Sequence, residues 1–227
     1  MESEKFEIPD EIPIFPLATV LFPGTILPLH IFEERYKEMM RYAIDHNGLF
    51  GLSFRDNDNA GKETVPEIGS VGCLAKINAV MPLEDGRMNL ISSGVLRYRV
   101  TGYPQMLPFL IARIETFTDE PEHDEELTHL FESLSKISKE LVAAAQSLDE
   151  TGTVFNPDLP EDPEAFSLQI TSMLPIDNDL KQTFLEMTST RSRLMRLKPL
   201  ITNTLSSYTT RLQMQERAKS NGHGKLH

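Results

Sequence analysis

Ile12-Pro13-Ile14-Phe15-Pro16-Leu17, followed by Leu21-Phe22-Pro23-Gly24-Thr25-Ile26-Leu27-Pro28-Leu29-His30-Ile31-Phe32, is the stretch whose reading decides the fold. Proline recurs inside an otherwise apolar run. Each proline lacks an N–H and fixes φ, so such a segment pairs only along a sheet edge, at strand ends or through bulges. Phe22-Pro23-Gly24-Thr25 carries proline and glycine at the two central positions of a type II turn, where glycine supplies the φ > 0 that the second position needs. Two short extended pieces around a tight corner are expected.

Working outward, Tyr36, Met39, Met40, Ala43 and Ile44 fall on one helical face, so Glu33 to Ile44 reads as an amphipathic helix that Asn47-Gly48 stops. Leu49 to Phe54 is a buried-strand candidate, and Arg55 to Glu63 a polar loop. Val71 to Val80 alternates, with Val71, Cys73, Ala75, Ile77 and Ala79 on one face. Asp85-Gly86 is a hairpin signal, because a type I′ turn needs φ > 0 at both central residues. The strand after it sets Leu96, Tyr98 and Val100 on one face and Val95, Arg97 and Arg99 on the other. With Phe109 to Phe117 the count reaches about six short strands, which favours a small barrel or sandwich over a parallel sheet.

Composition then shifts. Asp119 to Glu126 holds six carboxylates, one proline, one histidine and no basic residue. Beyond it Leu127, Leu130, Phe131, Leu134, Ile137, Leu141, Val142, Ala145 and Leu148 form one helical stripe. Thr151 to Pro160 reads as a loop; Asp162-Pro163 caps a short helix with Phe166, Ile170, Met173 and Leu174; and Asp177 caps another with Leu180, Phe184 and Met187. A last helix is predicted from Thr190 to Arg217, with a kink at Pro199 and the stripe Leu194, Leu197, Ile201, Leu205, Tyr208, Leu212. Residues 218–227 lack an apolar period and read as a frayed tail.

The pattern of a Pro-Leu step, a Phe-Pro-Gly corner, a Leu-Pro-Leu strand and a charged helix resembles the start of the Lon protease N-terminal, substrate-binding domain. Gly72-Cys73-Leu74-Ala75-Lys76-Ile77, Leu83 to Leu90 and Ser93-Gly94-Val95-Leu96-Arg97-Tyr98-Arg99-Val100 continue that resemblance in order and spacing, and Leu174-Pro175-Ile176 through Leu185-Glu186 echoes its helical half. The resemblance implies an α+β chain: a small PUA-like β-barrel domain with one helix over residues 1–118, an α-helical subdomain or helical bundle over 119–217, and a tail over 218–227. It implies a stand-alone form of the family's polypeptide-recognition module. Lon enzymes join this region to an ATPase and a Ser-Lys protease domain. The Gly-Lys pairs here, Gly61-Lys62 and Gly224-Lys225, lack the upstream glycine and the following Ser or Thr of a P-loop. Ser172 and Ser189 sit in ordinary helical contexts, with no base signature beside them. The expectation is therefore a protein that is not an enzyme.

At 227 residues and a net charge of −12, the chain is long enough for a sizeable core and too acidic for general affinity to nucleic acid or anionic membranes. RNA binding, known of PUA-like barrels in other families, is the least favoured reading. The lone Cys73 reads as an inert core thiol. His30, His46, His123, His129, His223 and His227 are scattered without metal-ligand spacing, so no metal or cofactor is expected. Arg193 and Arg196 are expected to keep their charges wet beside the last helical stripe, as are Arg191 and Lys198 on its other flank; a partner surface is the alternative. Arg97 and Arg99 read as solvent-facing strand residues, or else as part of a binding groove. Phe22, Leu27, Met81, Met88 and Met106, beside predicted turns, are candidates for contact with exposed polypeptide, with core filling as the alternative. The partners expected are unfolded or exposed polypeptide segments, by strand addition or shallow apolar contact, and a protease or ATPase. A regulatory or scaffolding role of the helical half is the second reading. The acidic N-terminus and the absence of a long apolar run point to the cytoplasm.

Overall fold

A computed structural model describes residues 8–55, 65–122, 125–149 and 158–222, so most of the polar loop after Arg55, most of the loop after Glu150, and His123, His223 and His227 lie outside the described residues. Six strands and five helices follow in order: β1 (Glu11–Leu17), β2 (Ile26–Ile31), α1 (Glu34–Asp45), β3 (Leu49–Phe54), β4 (Val71–Pro82), β5 (Met88–Gln105), β6 (Leu110–Phe117), α2 (Glu125–Leu148), α3 (Pro163–Met173), α4 (Asn178–Leu185) and α5 (Thr190–Gly222). The fold is α+β. Two compact units divide the chain: one takes Met1–Thr118 and Asp177–Glu186, the other Asp119–Ile176 and Met187–His227.

In the first unit the sheet order is β2-β5-β4-β3-β1-β6, and β6 pairs again with β5. The pairings therefore run β5-β4-β3-β1-β6 and return to β5, leaving β2 outside the circuit. All are antiparallel except β1 with β3. The long β5 serves three neighbours, and register shifts against β4 and β6 let it bend between them.

The prolines obey the edges. In β1 the Leu17 carbonyl accepts from the Arg55 amide of the β3 side, and the Asp10 carbonyl accepts from Ile114 on the β6 side. Backbone groups alternate in direction along a strand, so odd-numbered residues face β3 and even-numbered ones face β6. Pro13 precedes the β3 register, which begins at Ile14 opposite Gly51; Pro16 lies beyond the β6 register, which stops at Ile14 opposite Leu110. Pro28 falls on the outer side of β2, since Thr25, in phase with Leu27 and Leu29, accepts from Gly94 on the β5 side. Each missing N–H thus points where no strand pairs among the described residues.

The turn chemistry follows the sequence. Gly24 has φ 78°, and the Thr25 amide donates to the Phe22 carbonyl at 3.2 Å. Asn47 and Gly48 both have φ > 0 at the end of α1. Asp85 and Gly86 have φ of 62° and 68°, although the loop is longer than a two-residue hairpin, since β4 and β5 pair only as far as Pro82 and Met88. Its Asp85 carbonyl accepts from Nζ of the buried Lys37 on α1 at 2.9 Å.

Two apolar clusters fill the unit. One combines Phe15, Met39, Met40, Phe50, Cys73 and Ala75 beneath α1; the other combines Ile12, Ile14, Leu74, Tyr98, Val100 and Ala112. The alternation read in β4 holds for Cys73, Ala75 and Ile77 on one face with Leu74 on the other, but not for Ala79, which is exposed beyond a register shift between Ile77 and Ala79. Helix α4 adds a lid that its sequence position conceals. Asn178 donates to the Ala18 carbonyl and Gln182 to the Val71 carbonyl, both at 2.9 Å. Arg97, expected in solvent, is 2% exposed: it donates to the Leu185 carbonyl at 3.0 Å and lies over the Phe117 ring. Arg99 keeps partial exposure on the same ring.

The second unit is helical. Leu127, Leu134, Leu141 and Val142 of the α2 stripe are buried, and Phe131 packs edge-on against Phe166 of α3. Asp162 caps α3 and, in the first unit, Asp177 caps α4, as read from the sequence. Arg193 corrects the expectation of a wet charge: fully buried, it pairs with Asp119, donates through Nε to the Ser167 hydroxyl at 2.7 Å and through Nη1 to the Met187 carbonyl at 3.0 Å. Thr190 also bonds Asp119, while Glu122 accepts from the Ser189 hydroxyl and the Arg191 amide. The acidic run therefore ties down the start of α5. Helix α5 continues to Gly222, so the segment from Ala218 onward that was read as frayed is helical as far as it is described.

Two stability outcomes follow. Gly94→Ala should destabilise the chain by about 1–3 kcal/mol, read from its denaturation midpoint, because the added Cβ would stand 2.2 Å from the backbone oxygen of Phe22. Asp119→Asn should cost roughly 3–5 kcal/mol in the same measurement, since it leaves the Arg193 charge buried without its counter-ion. A change under half a kcal/mol in either variant would contradict the assigned packing.

Candidate functional site

Where β1 and β2 lose partners, side chains rather than backbone define the surface. Phe15 and Tyr36 pack as tilted rings with centroids 4.4 Å apart; Tyr36 lines two adjoining clefts of about 150 and 230 Å³, and Phe15 lines the larger. Both clefts are lined by Pro16, Arg35, Tyr36 and Arg55. The smaller continues onto Met106, Leu107 and Phe109; the larger continues onto Leu29, Ile31 and Phe32. Their volumes suit single side chains and fall below the roughly 300–1,000 Å³ of small-molecule sites.

The rim is apolar and open. Leu107 is 74% exposed and Phe32 60%, although side chains of this size are ordinarily covered. His30 stacks on Phe32, with its Nδ1 2.7 Å from Asn89 Oδ1, which steadies the outer face of β2. By the alternation that sends Pro28 outward, the amides and carbonyls of Ile26 and His30 also face the unpaired side of β2. An extended segment laid there would find carbonyls and two amides, interrupted at Pro28.

Of the five residues proposed from the sequence for polypeptide contact, Met106 alone lines these clefts. Phe22 is fully buried beneath the corner and Met88 is 7% exposed within the core, so both are packing residues with no surface to present. Leu27 is half-buried against the same core, and Met81 is exposed on the β4 arm without lining either cleft. Turn proximity guided that choice toward adaptable methionines. Phe32, Leu107, Tyr36, Arg35 and Arg55 were missed. A signal existed in Pro16, Pro28 and Leu107-Pro108, because apolar residues beside edge prolines mark surface that no strand covers.

Comparison with solved structures places this fold among Lon N-terminal domains. The N-terminal domain of the Mycobacterium avium complex Lon protease superposes with a TM-score of 0.65 at 18% identity, over 85% of this chain and 98% of that one. A Lon N-terminal domain protein from Xanthomonas campestris gives 0.58 at 20% identity, over 83% and 97%. The sequence profile of the ATP-dependent protease La (LON) substrate-binding domain matches residues 11–203, and the chain belongs to that family. Among full-length relatives, the Lon protease of Cytophaga hutchinsonii is 28% identical over 71% of this chain and 19% of its own length. Lon protease 2 of Syntrophobacter fumaroxidans is 25% identical over 96% of this chain and 27% of its own. The chain thus spans about a fifth to a quarter of the Lon proteases that it matches.

Cys73 stands apart from the clefts. It is fully buried in β4 next to Leu74, and burial drives its thiol far above the ordinary range, which suppresses the reactive thiolate. In the native protein a colourimetric disulfide reagent at neutral pH should leave Cys73 untouched over hours, and after denaturation it should report one thiol per chain. Rapid labelling of the native state would refute this packing.

Proposed function

We propose that this chain is a non-catalytic polypeptide-recognition module, and that exposed segments of other proteins dock in the paired clefts beside β1 and β2. The observation that carries the reading is the coincidence of three features at one place: side-chain-sized apolar clefts, exposed Phe32 and Leu107 on their rim, and strand edges without partners. Membership of the Lon substrate-binding family supports the same reading. An extended segment would set one apolar side chain in each cleft and satisfy part of its backbone on the outer side of β2. Contacts of this size give modest affinity.

In this reading the ring of pairings through β5, β4, β3, β1 and β6 is a small PUA-like barrel, with α2, α3 and α5 as a helical bundle, and the module works in the cytoplasm. Among the described residues no helix is long and apolar enough to cross a membrane. A second role, docking of a protease or other partner on the helical unit, draws support from α5. Beyond Ile201 none of its described side chains is buried, and Met214 is 64% exposed.

Fluorescence anisotropy of labelled peptides from unfolded proteins should detect binding to the full chain at micromolar to millimolar concentrations. Replacing Phe32 and Leu107 together by glutamate should weaken that binding about tenfold or more, since two apolar anchors are lost. The unfolding midpoint should hardly move, because both side chains are largely exposed. No binding at millimolar protein would overturn the proposal.

A further inference from the structure

We infer that the paired clefts select segments in which a carboxylate stands beside an apolar or aromatic side chain; this rests on the polypeptide-docking reading above. The chain carries a net charge of −12, yet the fixed charges lining these two clefts are two arginines and a single carboxylate. Arg35 and Arg55 line both clefts, and Glu33 lines one. A cationic pair inside an apolar cleft of an acidic protein complements an anion with apolar flanks, and repels a basic segment.

The two arginines are differently prepared. Arg35, the second residue of α1, lies with its guanidinium carbon 4.4 Å from the centre of the Tyr36 ring, and Nη2 is 3.4 Å from Glu33 Oε2. Stacking holds the guanidinium plane in place, while the Glu33 contact is long and half-exposed, a carboxylate that an incoming one can replace. Arg55 follows β3 directly, anchored where its amide donates to the Leu17 carbonyl at 2.8 Å. Its Nε is buried with no hydrogen-bond partner among the described residues. A buried guanidinium N–H without an acceptor is costly, and a carboxylate oxygen is the acceptor that satisfies it best, often through two parallel bonds. Tyr36 in both clefts, Phe15 and Phe32 in the larger and Leu107 in the smaller put apolar surface in the same clefts as the two arginines.

The carboxylate can be an Asp or Glu side chain or the α-carboxylate of a chain end. Short fluorescent peptides of Leu, Phe and Gly distinguish them: one amidated with a central Asp, the same with Asn, and an uncharged sequence as free acid and as amide. With the full chain at low salt, the Asp peptide should bind about tenfold more tightly than the Asn peptide, the size expected when one charge-assisted hydrogen bond is lost. If instead the free acid alone surpasses its amide by that factor, the chain end is the source; either result supports the inference. Arg55→Gln, and independently Arg35→Gln, should shrink the ratio of the Asp to the Asn peptide's affinity from about tenfold to within about twofold, whatever either change does to the binding of both peptides together. Arg55→Lys should restore only part of that ratio, because an ammonium lacks the planar fork. Equal binding of all four peptides, weakened alike by the Phe32 and Leu107 substitutions, would overturn carboxylate selection and leave polypeptide docking standing. Failure of every peptide to bind at millimolar protein would overturn both.

Discussion

The close passage of β5 beneath the Phe22–Thr25 corner is the constraint on which the first unit depends. Gly24 donates to the Gly94 carbonyl and Gly94 donates to the Thr25 carbonyl, each at 2.9 Å, so corner and strand are bonded in both directions. This approach is possible only because Gly94 has no Cβ; one would meet the Phe22 backbone oxygen at 2.2 Å. From that clamp the register of β2 on β5 begins, with Ile26 opposite Ser93, and Phe22 is driven wholly into the core. The rest of β5 is thereby aimed at β4 and β6, and the ring of pairings closes around the core that Tyr98 and Val100 fill.

Local patterns were legible because they are local. Strand β3 spans Leu49–Phe54 as read, α1 differs by one residue at each end, and the caps of α3 and α4 sit on Asp162 and Asp177. Periodicity and turn chemistry depend on neighbours in the chain, and those neighbours were in view. Burial decided by remote elements was not. Arg97 has the alternation of a solvent-facing residue and becomes buried because α4, some ninety residues later by the separation of Arg97 from Leu185, lies over it. Arg193 sits off the apolar stripe of α5 and is buried because Asp119, at the other side of a long sequence interval, supplies its counter-ion. A long cationic side chain reads as surface until its partner is known.

The candidate site shows a mixed legibility of the same kind. The opening prolines marked the edges correctly, since each one removes a donor where no strand could use it. Which side chains would collect at those edges depended on folding distant pieces together: Phe32 after β2, Arg55 after β3, and Met106 with Leu107 after β5. A thioether fills core gaps as readily as it lines a surface: Met88 took the first course and Met106 the second.

An open sheet edge is dangerous to a soluble protein, because it templates pairing with any other edge. Pro16 and Pro28 blunt this hazard by interrupting the donor row at the positions where β1 and β2 stand unpaired. Full strand addition, which rewards every extended chain alike, is thereby weakened, and in the proposed reading discrimination would pass to side chains and the clefts that receive them. The identity of the groups at the cleft floor then matters more than the length of the exposed edge. Tyr36 and Phe15 offer area, while Arg35 and Arg55 offer charge in a chain of net charge −12, so the recognition proposed above would rest on shape and sign more than on backbone register.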